Sequence, residues 1–84
     1  MYHRIQSVKP SGKSTFDAVF CNGEVRRFDV GSLMDRWPEF RALRDTPGLF
    51  ECVHVEPGGY GVSWNDQLDL ECEDVWEFGT VPAI

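Results

Sequence analysis

An even complement of cysteines is the first thing this chain does without. It has three, Cys21, Cys52 and Cys72, with no Cys-x-x-Cys spacing among them. Small secreted domains stapled by disulfides show paired cysteines, so that class is set aside, and reduced thiols in a cytoplasmic protein are expected. No apolar run approaches the roughly 18 residues that a membrane span needs, and the opening MYHRIQSVKP has no apolar signal core. Basic residues are scarce: eight Lys and Arg stand against fourteen Asp and Glu, a net charge of −6. That balance argues against direct binding to nucleic acid, which needs a clustered basic surface. Arg36, Arg41 and Arg44 lie close together, but Asp35, Glu39 and Asp45 are interleaved with them, as on a solvated helix face. A phosphate cradle is also missing. Pro57-Gly58-Gly59 has neither the G-x-x-x-x-G-K spacing nor a following helix, and reads as a hairpin turn.

What is present is one small domain, residues 1–84, well supplied with large side chains. Six Phe, three Trp and two Tyr suffice for a compact core and exclude global disorder. A chain of this size buries a modest share of its surface, so a stability of about 5 kcal/mol is expected. Few side chains remain to line a deep cavity, and no cofactor is expected.

Residues 43–70, LRDTPGLFECVHVEPGGYGVSWNDQLDL, carry the densest ordered pattern. A turn from Asp45 to Gly48 feeds a strand from Phe50 to Glu56. Val53 and Val55 share one of its faces, Cys52 and His54 the other. The Pro57-Gly58-Gly59 turn reverses it into a strand from Tyr60 to Asn65. Tyr60, Val62 and Trp64 share a face there, and Gly61 marks close packing against a neighbour. A polar break leads to Leu68-Asp69-Leu70. Residues 71–78 read as a short helix, with Glu71, Glu73 and Asp74 at its start, where the helix dipole favours them. Val75 and Phe78 face the core, Gly79 caps the end, and residues 80–84 form a frayed tail.

Upstream, residues 3–9 read as an edge or bulged strand, because Ile5 and Val8 break strict alternation. Residues 15–21 alternate cleanly, with Phe16, Ala18 and Phe20 on one face. Asn22-Gly23 then signals a hairpin into Glu24–Val30. A two-residue loop would turn Phe28 away from Phe16. A three-residue loop with Gly23 as a bulge sets Phe28 opposite Phe16 and keeps one apolar face, so hydrophobic burial selects the bulged loop. Ser32 is placed to cap a short helix through Asp35. Pro38 limits that helix and opens another, in which Phe40 and Leu43 point inward. Runs of like elements predict an α+β fold with a small, mainly antiparallel sheet of about five strands, in the order β-β-β-α-α-β-β-α.

The segments GEVRRFDVGSLM, LRDTPGLFECVHVEPGGYGVSWND and DLECEDVWEFG resemble the short bacterial proteins grouped as domain of unknown function 2442. The resemblance spans about residues 3–79. Gly31-Ser32, Thr46-Pro47-Gly48, Gln67 and Cys72 depart from the family's usual residues. The resemblance implies a small α+β fold similar to the N-terminal domain of a nitrosomonad helix-turn-helix protein. No residues are expected to remain for a second domain, so the DNA-binding role is not carried over. Genes of the family often neighbour those of a second small family, domain of unknown function 4160. That arrangement resembles a toxin–antitoxin pair and implies a protein partner.

Chemical constellations are thin. Cys52 and His54 would project from one strand face, and Cys21 and Cys72 could join them. No metal-ligand spacing links the four, so no metal is expected. Cys52 with His54 or His3 lacks the pattern of an activated thiolate, and no catalytic residue is expected. The residues expected to meet a partner are Arg44, Asp45, Trp64, Asn65 and Trp76. Trp and Arg are favoured binding anchors, and Trp37, Trp64 and Trp76 cannot all be buried in so small a domain. The blander reading makes them an Asp-capped turn and a Trp closing one end of the core. The expected function is a non-catalytic protein-interaction module, the antitoxin-like or regulatory member of a bacterial operon pair. The alternative is a homo-oligomer paired through a sheet edge. An enzyme using His54 is the least favoured reading.

Overall fold

A computed structural model describes residues 3–82. It holds two three-stranded antiparallel sheets joined by short helical turns, an α+β fold with six strands. The first sheet contains β1 (Ile5–Pro10), β2 (Thr15–Phe20) and β3 (Val25–Asp29), in that order. β1 is irregular, as its broken alternation predicts: Ile5 pairs with Phe20 and Ser7 with Val19, leaving Gln6 as an extra residue. Phe16 pairs with Phe28 in the β2–β3 ladder, and the Phe20 amide donates to Glu24 O at 2.8 Å. This is the three-residue loop, closed by Gly23 at φ 90°, a conformation that glycine reaches without steric cost.

The link between the sheets is more helical than the sequence implies. Asp29, rather than Ser32, caps a 3₁₀ turn over Val30–Leu33, its carboxylate accepting from the Gly31 amide. The Ser32 hydroxyl instead donates back to Asp29 O. Pro38 opens a second 3₁₀ turn, Pro38–Arg41, which runs into α1 (Ala42–Asp45) and buries Phe40 and Leu43. The strand expected from Phe50 is largely a third 3₁₀ turn, Phe50–Cys52, followed by the two-residue β4 (His54–Val55). The turn drops Phe50 into the core, a contact that outweighs the strand pattern.

β5 (Gly61–Asn65) is the centre of the second sheet, between β4 and β6 (Leu68–Glu71). Gly61, Val62, Ser63 and Trp64 are all buried, so both faces of this strand are covered. Tyr60 precedes the strand and is exposed, not aligned with Val62 and Trp64 as expected. A Cβ on Gly61 would overlap the Leu70 carbonyl oxygen of β6, which is the close packing that its position predicts. Leu68-Asp69-Leu70, which the sequence assigns to none of the five expected strands, belongs to a paired sixth strand, and α2 (Cys72–Phe78) follows it directly.

Phe16, Phe20, Phe28 and Val30 from the first half meet Val62, Trp64, Leu68 and Val75 from the second in one apolar core. Thr80 does not fray. It exchanges two backbone hydrogen bonds with Arg27 and covers the outer edge of β3. Val81 is exposed, and residues 83–84 of the expected tail lie outside the described residues. No helix of the described residues is long and apolar enough to cross a membrane.

Candidate functional site

Trp64 does not reach the surface. It is 3% exposed, with the rings of Phe16, Phe40 and Phe50 around it at centroid distances of 5.9, 6.3 and 6.2 Å. It is therefore corrected from partner anchor to core residue. Asn65 also turns inward on its own chain: its Oδ1 accepts from the amides of Gln67 and Leu68, both at 2.9 Å, and holds the tight turn into β6. Trp76 is half-buried with both ring faces occupied. His3 stacks on one at 4.0 Å, and the Arg26 guanidinium sits 3.9 Å from the ring centroid. His3 is held in turn by Glu73, whose carboxyl lies below the usual range because it accepts from the His3 amide and ring. Arg44 and Asp45 remain exposed and pair with each other at 2.7 Å, the guanidinium holding the Asp45 carboxyl below its usual value. The structure does not gather these five residues into one surface.

A different set does converge. A groove of about 470 Å³ opens between the 30–41 segment, β6 and α2. Leu33, Trp37 and Phe40 line one part of it; Asp69, Leu70 and Phe78 line another. Trp37 is 43% exposed and Phe78 69%, two large apolar side chains from separate elements at one depression. Phe78 was expected to join Val75 in the core; instead Cys72 and Val75 are the buried residues of α2, and Phe78 ends the helix at the groove. Arg36 stacks on the Trp37 ring at 4.9 Å.

A second recess, about 500 Å³, meets the first at Asp69 and Leu70 and is lined also by Glu56, Tyr60, Glu71 and Cys72. Across the two, Glu39, Glu56, Asp69, Glu71 and Asp74 face a single cation, Arg36. No ion pair among the described residues engages any of these five carboxylates.

The thiols and imidazoles do not assemble as a site. Cys52 lies in a 3₁₀ turn with its Sγ donating to Gly48 O, so it shares no strand face with His54. Cys72 is buried, and burial pushes its thiol up. His54 Nδ1 contacts Cys52 O at 3.0 Å, and its Nε2 lies 2.9 Å from Ser63 Oγ. A base oriented by a carbonyl and facing a hydroxyl is the skeleton of a nucleophilic pair. Ser63 is only 9% exposed, however, and neither recess includes it or His54. The contact satisfies a buried hydroxyl across the β4–β5 ladder, where His54 and Ser63 are direct partners.

Comparison with known proteins follows the fold rather than a family. No protein-family model matches the chain, and no curated protein does. The chain is similar to a Nitrosomonas europaea crystal structure named "Putative DNA Binding Protein", with a TM-score of 0.73 and 25% identity. The match covers 89% of this chain and 47% of that one, so this chain spans about half the length of its structural relative. The fold implied by the resemblance is thus found; membership of the domain of unknown function 2442 family is not shown by a family model.

Sequence reasoning missed Trp37 and Phe78. The only signal was that three Trp exceed what so small a core can bury. Which one stays outside depends on the Trp37–Pro38 turn, where Trp37 is extended and ends one helical piece just before the next.

Proposed function

We propose that this chain is a non-catalytic protein-interaction module of the bacterial cytoplasm whose binding face is the groove beside β6. The observation that carries it is the pair of exposed aromatic side chains, Trp37 and Phe78, lining one depression with unpaired carboxylates around it. Exposed apolar patches rimmed by polar groups mark interaction sites on small domains. Excess negative charge selects and steers a basic partner. An antitoxin-like or regulatory member of an operon pair is one role that such a face serves, and the partner is then the product of the adjacent gene.

DNA binding, named for the Nitrosomonas relative, finds no support in this half of that length. The net charge of −6 and the acidic recesses repel phosphate. Homo-oligomerisation through the edge of β6 meets the same obstacle. Antiparallel pairing of two copies would set Asp69 and Glu71 of one against the same residues of the other, and like charges facing across strands destabilise.

The test is co-purification from the native host with wild-type bait and with a Trp37→Ser/Phe78→Ser double variant. One stoichiometric protein, retained by the wild type and lost by the folded variant, is expected. Equal recovery with both baits, or no stoichiometric partner, contradicts the reading.

A further inference from the structure

The groove is bordered by a sheet edge, whose hydrogen-bonding phase follows from the β5 ladder beside it. In the second sheet the order is β4-β5-β6, so among the described residues β6 has no strand on its outer side. Gly61 O accepts from Glu56 N toward β4, and Tyr60 O accepts from Cys72 N toward β6. Backbone groups alternate sides along a strand. Val62, paired with Leu70, therefore bonds toward β6, and Leu70 bonds back toward β5. The N–H and C=O of Asp69 and the N–H of Glu71 consequently point outward. Their side chains are exposed, whereas Leu68 and Leu70 are buried. The outer edge of β3, by contrast, is already taken by Thr80.

Resting on the groove reading above, we infer that the occupant is an extended, lysine- or arginine-bearing segment of a partner protein that adds to the second sheet as a strand beside β6. Three observations converge on this occupant. The outward donors and acceptor of Asp69 and Glu71 supply main-chain pairing, the source of affinity in strand addition. Five unpaired carboxylates against one arginine along the two recesses select basic side chains and repel a second copy of this acidic chain. The edge strand itself alternates, Asp69 and Glu71 exposed and Leu68 and Leu70 buried, and the first recess joins it to Trp37 and Phe78, whereas the second crosses the sheet to Glu56, opposite Gly61 on the far side of β5. An alternating edge of that kind fits the period-two side chains of an extended segment better than the roughly 10–12 Å cylinder of a helix. Trp37 and Phe78 then hold the apolar residues of the added strand.

The probe is an eight-residue peptide of alternating Lys and Val, titrated into the full isotope-labelled chain and followed by backbone amide shifts. The expected shifts centre on Asp69, Leu70 and Glu71, with affinity falling as salt rises. Two analogues, N-methylated on all Lys or on all Val positions, keep charge and side chains but each lose one set of donors. One analogue should bind roughly tenfold or more weakly, the scale of one or two lost backbone hydrogen bonds, and the other should bind as before. Asp69→Lys, an exposed substitution, should weaken the Lys-Val peptide and admit a Glu-Val peptide. Equal binding by both analogues, or tighter binding by a helix-stapled basic peptide, overturns strand addition. If those shifts still fall on Trp37 and Phe78, the groove reading survives. A peptide series that moves neither set of amides overturns both.

Discussion

Trp64 packs its indole among three phenylalanine rings while its Nε1–H finds no hydrogen-bond acceptor among the described residues. Two opposing costs meet in that side chain. Removing the ring leaves a cavity, for which Trp→Ala costs about 3–5 kcal/mol. Removing only the donor relieves a buried unsatisfied group, worth about 1–3 kcal/mol. Trp64→Phe should therefore stay within about 1 kcal/mol of the wild type, because the smaller cavity and the relieved donor offset each other. Trp64→Ala should leave the chain largely unfolded, since its cost rivals the whole stability of a small domain, about 5 kcal/mol. Urea titrations of both variants check this; a large loss for Trp64→Phe would mean that the indole N–H has a partner, such as water. The same residue shows where sequence reading stops. Alternation in YGVSWN places Trp64 on an apolar face, but whether that face meets core or partner depends on Phe40 and Phe50, distant in the chain.

At the level of elements, the first sheet was the more legible half. Its register follows from matching Phe16 with Phe28 across a loop that ends in Gly23, because a one-residue slip would expose that whole face. The second sheet was less legible. Cys52, Val53 and His54 alternate like a strand, yet Phe50 gains more by folding into a 3₁₀ turn that buries it. Gly61→Ala forces a methyl onto the Leu70 carbonyl oxygen, so β5 and β6 must separate, with a loss of about 1–3 kcal/mol, as for overpacking. Thermal melts should show it, and an unchanged midpoint would contradict the close approach. Asp17 receives two hydrogen bonds from Arg27, at 2.8 and 3.0 Å, across the β2–β3 ladder. The guanidinium holds the Asp17 carboxyl below its usual value. A lowered folded-state value stabilises the fold above the unfolded carboxylate pKa, about 3.9, and that contribution disappears as pH falls through the folded value. Asp17→Asn should thus be less stable than wild type near neutrality, with the difference closing in acid below about pH 4. Urea midpoints across pH measure it; a constant difference would show that the pair contributes nothing through its charge.

For the whole molecule, the structure separates what holds the fold from what faces outward. Phe16, Phe20, Val62 and Val75 are sealed, while Trp37 and Phe78 stay in solvent at a groove that no single stretch of sequence announces. That groove is assembled from segments around residues 33–40, 67–74 and 78, so its existence is a tertiary fact. Substituting Trp37 or Phe78 by Ser should change stability by no more than about 0.5 kcal/mol, the usual range for surface positions. Partner capture should be lost all the same, and a large stability change at either would move that residue from docking face to core. Site-specific photo-crosslinking in the native host separates a docking face from bare surface, with the photoreactive residue at position 37, at position 78, or at exposed Lys13 as the control. One protein, distinct from this chain, should crosslink from positions 37 and 78 and be absent from position 13. The same products from all three positions, or crosslinks only to a second copy of this chain, would contradict that docking face.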